Sequence, residues 1–176
     1  MDQLVMRWLD DGKEPVHPVM PPDTCFVTLP EREDGIEEWL DIVQYGLSEK
    51  KEDVSYYNKA MRDVRWYEAD KCFILLYKGA PAATVTVICN REEKNGCIHM
   101  VAVKPEFRGR GFGTLLCDKA MFTLKSEGMV KAYLTTDDYR IPAIKSYLRA
   151  GFFPDKRNEE YERRWKDVFD VIEGRK

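Results

Sequence analysis

The chain has 176 residues, of which 44% are hydrophobic and 34% are charged, and this length suits one domain with a sizeable core. Its formal net charge of −3 gives no general argument for binding nucleic acid or an anionic membrane. No apolar run approaches the length of a membrane span, and the N-terminus lacks the apolar core of a signal peptide. We therefore expect a cytoplasmic protein, a monomer or homodimer, without nucleic-acid or membrane partners.

The cysteines argue against a metal site and for a reducing compartment. The chain has five cysteines and two histidines, and no two cysteines are spaced as Cys-x-x-Cys, so no zinc site and no other metal is predicted. Four of the cysteines lie in apolar, strand-like runs. We interpret the five as buried free thiols: Cys25, Cys72, Cys89, Cys97 and Cys117.

The first half of the chain predicts strands and two helices. Residues 1–23 are expected to form an extended, proline-rich segment packed on a single domain of residues 24–176, although residues 3–8 are compatible with a strand. A strand is predicted at 24–29. Asp34 with Glu37 then gives a capping-box pattern before an amphipathic helix, and a second helix is predicted over 54–64.

Three further strands, at 71–77, 83–89 and 97–103, are expected to pair as an antiparallel meander. Residues 78–81 predict a hairpin turn, and Asn95-Gly96 is a second turn signal.

After residue 103 helices and strands alternate. We predict a helix to about residue 127, a strand at 130–136, a helix from about 140 to 150, a short apolar segment at 151–153 and an amphipathic helix in the tail. Gly128 and Gly151 stand where helix C-caps are expected.

A glycine-rich turn, Arg108-Gly109-Arg110-Gly111-Phe112-Gly113-Thr114, joins the strand at 97–103 to the helix after it. Glycines allow close approach of the backbone to a ligand, and unpaired N–H groups at a helix N-terminus attract anions. Arg108 and Arg110 add positive charge. The spacing is neither Gly-x-Gly-x-x-Gly nor a Walker A loop. The turn therefore predicts a phosphate site, and its spacing disfavours both a dinucleotide-binding fold and a phosphoryl-transfer enzyme.

Two motifs resemble those of one family. The turn resembles the Arg/Gln-x-x-Gly-x-Gly/Ala signature of the GNAT family of acyl-CoA-dependent N-acetyltransferases. Residues 140–152 resemble the later motif of that family, Asn-x-x-Ala-x-x-x-Tyr-x-x-x-Gly-Phe. The matching residues there are Ala143, Tyr147, Gly151 and Phe152, with Arg140 in place of the Asn.

The resemblance implies an α/β fold, the GNAT acyl-CoA N-acyltransferase fold, with a mixed, mostly antiparallel sheet flanked by helices. A chain of this family often ends in a further strand, whereas the tail here predicts a helix, so the last strand stays open. The resemblance also implies direct transfer of an acetyl group from acetyl-CoA to a primary amine of a small molecule or peptide in a ternary complex. A non-catalytic acyl-CoA-binding sensor or regulatory module is the alternative.

The resemblance further assigns residues to the cofactor. The turn amides would hold the pyrophosphate of coenzyme A, and the main chain of the preceding strand, beside Met100, would stabilise the oxyanion. The residues expected to bind the cofactor are Val101, Ala102, Val103, Arg108, Gly109, Arg110, Gly111, Phe112, Gly113, Thr114, Arg140, Ala143 and Tyr147.

Tyr147 is the candidate general acid, because a phenol with an ordinary pKa of about 10 is protonated at neutral pH. The alternative is a core aromatic, since Ile144 and Leu148 lie on the same face of the predicted helix. For Arg140 we expect a carboxylate or phosphate ligand, or pairing with Asp137 or Asp138.

His99 is the candidate base. It precedes Val101 and Val103 by even steps, which predicts that the three side chains share one face of the strand. An ordinary pKa of about 6.5 suits proton removal from an ammonium group, and a histidine has a similar place in the arylalkylamine branch of the family. The alternatives are a structural, hydrogen-bonded histidine, and Glu92 or Glu93 as weaker candidate bases.

The predicted helices at 36–64 would form the wall of the acceptor site. Aromatic and acidic residues in and near them would suit a cationic amine, although aromatics at helical spacing usually belong to the core and charge runs are usually solvated. We predict no particular substrate from this set: Glu49, Glu52, Asp53, Tyr56, Tyr57, Trp66 and Tyr67.

Overall fold

The computed structural model describes residues 2–48 and 50–175. The strands are β1 (Leu4–Leu9), β2 (Thr24–Thr28), β3 (Cys72–Tyr77), β4 (Ala80–Asn90), β5 (Asn95–Val103), β6 (Lys131–Thr136) and β7 (Phe153–Pro154). The helices are α1 (Gly35–Val43), α2 (Val54–Tyr57), α3 (Phe112–Ser126), α4 (Ile141–Arg149) and α5 (Glu159–Ile172). The predicted α/β fold is confirmed.

All seven strands belong to one sheet with the order β2-β3-β4-β5-β6-β1-β7. Strands β2, β3, β4 and β5 pair antiparallel in that order, so the predicted meander is confirmed. Strand β5 runs parallel to β6, and this pairing extends only from Asn95 to Cys97. The sheet is therefore mixed and mostly antiparallel.

The N-terminal strand lies inside the sheet. Strand β1 pairs along its whole length with β6 and, on its other edge, with the two residues of β7. Leu4, Met6 and Trp8 are buried at alternate positions, which gives β1 one core face. The segment up to residue 23 thus contributes a strand to the domain. The tail forms the predicted helix, α5. The short strand β7 precedes this helix and pairs with β1.

Two hydrophobic clusters sandwich the sheet. Helices α3, α4 and α5 cover one face, where Leu116, Ile144 and Trp165 are fully buried. Helix α1 and the α2 region cover the other face, where Trp39 and Met61 are fully buried. Each helix buries an apolar stripe against the sheet. Among the described residues, no helix is long and apolar enough to span a membrane.

Several local predictions need correction. The side chain of Asp34 caps no helix, and the Glu31 carboxylate instead accepts from the N–H and hydroxyl of Thr28 at 2.6 and 2.9 Å. The predicted helix over 54–64 is four residues of α2 followed by a π-helical turn, Asn58–Arg62. Cys25 is exposed rather than buried.

The Asn95-Gly96 turn prediction is wrong, because both residues belong to β5 and the turn lies at 91–94. Gly96 serves packing instead: a Cβ added there would lie 2.1 Å from Cδ2 of Leu124.

Candidate active site

A wedge opens in the sheet between β5 and β6. Their pairing ends at Cys97, so the β5 main chain from residue 98 to residue 103 has no strand partner on the β6 side within the described chain. Backbone groups left unpaired at such an edge are strong hydrogen-bonding sites. The wedge therefore offers main-chain N–H groups of the stretch from residue 98 to residue 103 to an elongated polar ligand.

The glycine-rich turn lies directly after this strand. The N–H groups of residues 109 to 114 donate to no acceptor in the described chain, whereas the Arg108 N–H donates to the Pro105 carbonyl at 3.2 Å. Helix α3 begins at Phe112, and its first hydrogen bond joins the Leu115 N–H to the Gly111 carbonyl at 3.1 Å. The free donors and the positive end of the helix dipole form an anion site.

Two glycines shape this turn through backbone conformation. Gly109 and Gly111 have φ values of +76° and +79°, in the left-handed region, and no atom lies within 4 Å of a Cβ added at either. Side chains disfavour that conformation, so the turn needs glycine for its dihedral angles. Gly113 lies within the first turn of α3, where an added Cβ would be 3.8 Å from the Ser146 hydroxyl.

The two arginines of the turn differ. The Arg108 guanidinium donates to the carbonyls of Val103 and Tyr45 at 3.2 and 3.3 Å, so it joins the end of β5 to the segment after α1. Both acceptors are neutral carbonyls, so the Arg108 guanidinium keeps its positive charge beside the turn. The Arg110 guanidinium lies 5.1 Å from the ring centre of Tyr77 and lines the groove described next.

A groove of about 850 Å³ leads away from the turn. Its floor is the outer surface of α3, and its wall is the extended segment 10–23, which we call the arm. Lys125 on α3 holds the arm by bonds to the Asp11 carboxylate and the Lys13 carbonyl at 2.5 and 2.9 Å. The His17 ring lies 3.9 Å from that of Phe122. The groove is bordered by Arg110, Gly111, Thr114 and Arg149.

Tyr147 on α4 is buried, with 6% of its surface exposed, and belongs to the cluster that includes Val101, Val103 and Phe112. The packing expected of a core aromatic is therefore present. Burial, followed by the nearby Cys117 thiol, raises the Tyr147 pKa. No described residue hydrogen-bonds its hydroxyl, so a protonated phenol remains free to donate to a ligand.

A β-bulge places His99 on the opposite face from the predicted one. Met100 has φ +52°, and residues 100 and 101 together oppose Val85. Because the bulge breaks the alternation, Val101 and Val103 pack with the α3 side of the sheet, whereas the His99 Nε2 lies 2.8 Å from the Ala60 carbonyl on the α2 side. Burial lowers the His99 pKa. The neutral ring therefore carries its proton on Nε2 and a lone pair on Nδ1.

Arg140 pairs with Asp137, one of the alternatives expected for it. Its Nε donates to the Asp137 carboxylate at 2.7 Å, and its Nη2 lies 3.5 Å from the Tyr139 hydroxyl.

Of the four aromatic residues near α2, Tyr57 is buried, Tyr56 and Tyr67 are half-buried against the same cluster, and Trp66 is exposed. Tyr57 is 3% exposed, packs edge-on to Trp39 and hydrogen-bonds the Tyr67 hydroxyl at 2.9 Å. Asp53 caps α2, and Glu49 lies outside the described residues. The alternative of core packing is thus confirmed for Tyr57. Trp66 does not belong to the core, since 39% of its surface is exposed.

Sequence reasoning missed the arm groove, the bulge and the partners of Arg108. Proline spacing showed that the arm is extended, and nothing in it indicated which helix it crosses. The bulge had no signal at all, since Met100 is a non-glycine residue at positive φ.

The free amides, the split sheet and the buried phenol bring unpaired backbone donors close to a group that can donate a proton. The model of the Acetyltransferase (GNAT) family matches residues 36–152, and the chain belongs to this family. Acetyl-CoA is the acyl donor of its acetyltransferases.

Individual relatives agree with this assignment. An uncharacterised N-acetyltransferase of Methanocaldococcus jannaschii is 33% identical over 109 residues, which cover 55% of this chain and 48% of that protein. A GCN5-related N-acetyltransferase from Sphaerobacter thermophilus has a TM-score of 0.71 at 19% identity and covers 88% of this chain and 50% of that one. The NatC complex bound to Gag peptide and CoA has a TM-score of 0.61 at 18% identity, covering 74% and 85%.

The structural matches show a common fold. The chain spans 32% to 61% of the length of the curated relatives that it matches.

Proposed function

We propose that this chain is an acetyl-CoA-dependent N-acetyltransferase that moves an acetyl group directly to a primary amine of a small molecule or peptide. The observation that carries the proposal is the row of unpaired N–H groups from residue 109 to residue 114, because six free donors at one helix N-terminus match the pyrophosphate of coenzyme A. Phe112, Gly113 and Thr114 would bind through their main chain. The acyl chain would enter the wedge beside Val101 to Val103.

The proposed chemistry uses side chains on both sides of the wedge. Acetyl-CoA supplies the activated acetyl thioester. His99 Nδ1 takes a proton from the acceptor ammonium group, and the main chain of Val101 to Val103 donates to the carbonyl oxygen as it gains negative charge. The neutral amine would then attack the acetyl carbon, and the carbon–sulfur bond would break as Tyr147 gives its proton to the departing sulfur. The second proton that the amine nitrogen loses would pass through solvent to the Tyr147 phenolate. Arg140, the N-cap of the same helix, and Ala143, on its first turn, would border the acyl chain.

We infer that the nucleotide end of coenzyme A lies in the arm groove. Arg110, Gly111 and Thr114 line the groove, so it is continuous with the glycine-rich turn. Arg149 also lines it, and the described residues offer this guanidinium no salt bridge. A guanidinium there would suit a phosphate group.

The test is titration calorimetry with acetyl-CoA, followed by a panel of amines and peptides with detection of free thiol. We expect micromolar binding and amine-dependent thiol release. Binding without thiol release for any amine would instead indicate an acyl-CoA sensor, and no binding at millimolar acetyl-CoA would reject both.

A His99→Gln variant tests the base. Burial lowers the His99 pKa, so the neutral, proton-accepting form exists at pH 7, and kcat/KM of the parent should fall only below about pH 6.5. Glutamine can still donate to the Ala60 carbonyl but cannot accept the proton. We expect kcat/KM at pH 8 to fall about 10- to 100-fold with loss of the acid limb. A pH profile that overlays that of the parent would rule out His99 as the base.

An Arg149→Gln variant tests the groove. Loss of one charge-assisted hydrogen bond should raise KM for acetyl-CoA about 10-fold, with kcat unchanged. The change should be much smaller with the thioester of pantetheine, which lacks the nucleotide. Lys131→Gln, an exposed cation on β6, is the control. Equal effects of Arg149→Gln on both thioesters would contradict the assignment.

A further inference from the structure

Arg164 on α5 is a buried cation whose hydrogen bonds all converge near the start of α4. It is 7% exposed. Its Nε and Nη2 donate to the two carboxylate oxygens of Asp138 at 2.9 and 2.5 Å, and its Nη1 donates to the Asp2 carbonyl at 2.8 Å. Such a two-pronged contact fixes direction as well as distance. Helix α5 therefore holds the loop that precedes α4.

A second set of bonds holds the same loop from the N-terminal side. The Gln3 amide donates to one carboxylate oxygen of Asp137 at 3.1 Å, and Arg140 Nε donates to the other at 2.7 Å. Residues 137–140 are thus tied to α5, to the residues before β1 and to the N-cap of α4. Two distant parts of the chain, its beginning and its last helix, meet at this loop.

Helix α4 depends on this support. It has nine residues, and its N-cap residue Arg140 makes no side-chain cap bond, so it would be marginal in isolation. Its place in the molecule comes from packing and from the loop before it. Tyr147 lies on its second turn and has no hydrogen bond to a described residue, so the position of the Tyr147 hydroxyl follows that of α4.

We propose that Arg164 is a positioning residue for the acetyl transfer. Through Asp138 it fixes the loop at 137–140 and the start of α4, and thereby places the Tyr147 hydroxyl at the departing sulfur. This inference rests on the proposed function, because Arg164 acts only through the proton that Tyr147 donates. A displacement of about 1 Å at a catalytic group can cost about 100-fold in rate. A lysine ammonium group cannot make the two parallel hydrogen bonds that the planar Arg164 guanidinium makes to the Asp138 carboxylate.

The test compares Arg164→Lys and Asp138→Asn in two backgrounds, the parent and Tyr147→Phe. In the parent background each variant should lower kcat about 10-fold, while KM for acetyl-CoA stays within about two-fold. In the Tyr147→Phe background neither variant should lower kcat further, because no hydroxyl is left to position. Arg163→Lys, on the exposed face of α5, is the matched control and should leave both constants unchanged.

A merely structural role gives a different pattern. If Arg164→Lys and Asp138→Asn lower kcat by the same factor in both backgrounds, or change only the melting temperature, the proposal is overturned. The Asp138 side chain is 40% exposed, so Asp138→Asn keeps the test valid should Arg164→Lys fail to fold.

The catalytic role of Tyr147 and the positioning role of Arg164 can be refuted separately. Full kcat in Tyr147→Phe would refute the proposed acid itself. A loss in Tyr147→Phe together with full kcat in both Arg164→Lys and Asp138→Asn would refute only the positioning role.

Discussion

Replacing Tyr147 by phenylalanine should lower kcat for acetyl transfer about 100-fold and leave KM for acetyl-CoA nearly unchanged. Burial raises the Tyr147 pKa, so the phenol is protonated at neutral pH and can donate to a departing thiolate. Positioned acids of this kind contribute about 100- to 10,000-fold. The measurement is steady-state kinetics with an accepted amine, supported by calorimetric titration of acetyl-CoA.

The substitution should be harmless to the fold. Phenylalanine keeps the ring that packs 6.4 Å from the ring of Phe152, and the removed hydroxyl bonds no described residue. The control is Tyr57→Phe, which removes a buried hydroxyl bonded to Tyr67 at 2.9 Å. That control should lose about 1 kcal/mol of stability with kcat retained. If Tyr147→Phe keeps the parent's kcat, Tyr147 is a core residue and the acid lies elsewhere.

The second large effect concerns the anion site. Gly111→Ala should weaken binding of acetyl-CoA at least 10-fold, because Gly111 is the N-cap of α3 at φ +79°. A side chain there costs about 1–2 kcal/mol in the left-handed region, and relief of that strain would rotate the N–H groups away from a bound phosphate. Calorimetric titration with acetyl-CoA and with free coenzyme A measures the loss.

Gly128→Ala is the matched control for strain. Gly128 follows α3 at φ +72°, and no atom lies within 4 Å of an added Cβ. Both variants should lower the melting temperature by a similar few degrees, since about 1 kcal/mol corresponds to about 2–4 °C at this chain length. Only Gly111→Ala should lose affinity. Equal affinities in the two variants would show that the turn does not hold the carrier.

The glycine-rich turn and the start of α3 were predictable because their determinants are local. The glycines at 109 and 111 allow the turn, and Pro105 begins a short 3-10 turn just after β5. The switch from alternating to helical apolar spacing places the start of α3 at Phe112. The first N–H groups of a helix have no acceptor within that helix, so the position of the helix start is enough to predict unpaired donors. The same holds for the C-caps at Gly128 and Gly151, which both adopt positive φ.

The charges around the site were less predictable, because their partners are distant in sequence. Arg108 pairs with the Tyr45 carbonyl, 63 positions away. Arg164 pairs with Asp138 and reaches Asp2, 162 positions away. Periodicity and motif spacing describe neighbours along the chain and contain no information on such contacts.

By itself, the sequence determined the class of fold, the antiparallel meander, the glycine-rich turn and the helix that carries Tyr147, because each depends on local dihedral preferences or on side-chain period. Only the tertiary structure decided that β1 fills the place between β6 and β7, that the arm walls a groove over α3, and that a bulge at Met100 turns His99 towards Ala60. These outcomes depend on which surfaces bury each other and on where one extra residue fits between paired strands, and neither is encoded in any single stretch of the chain.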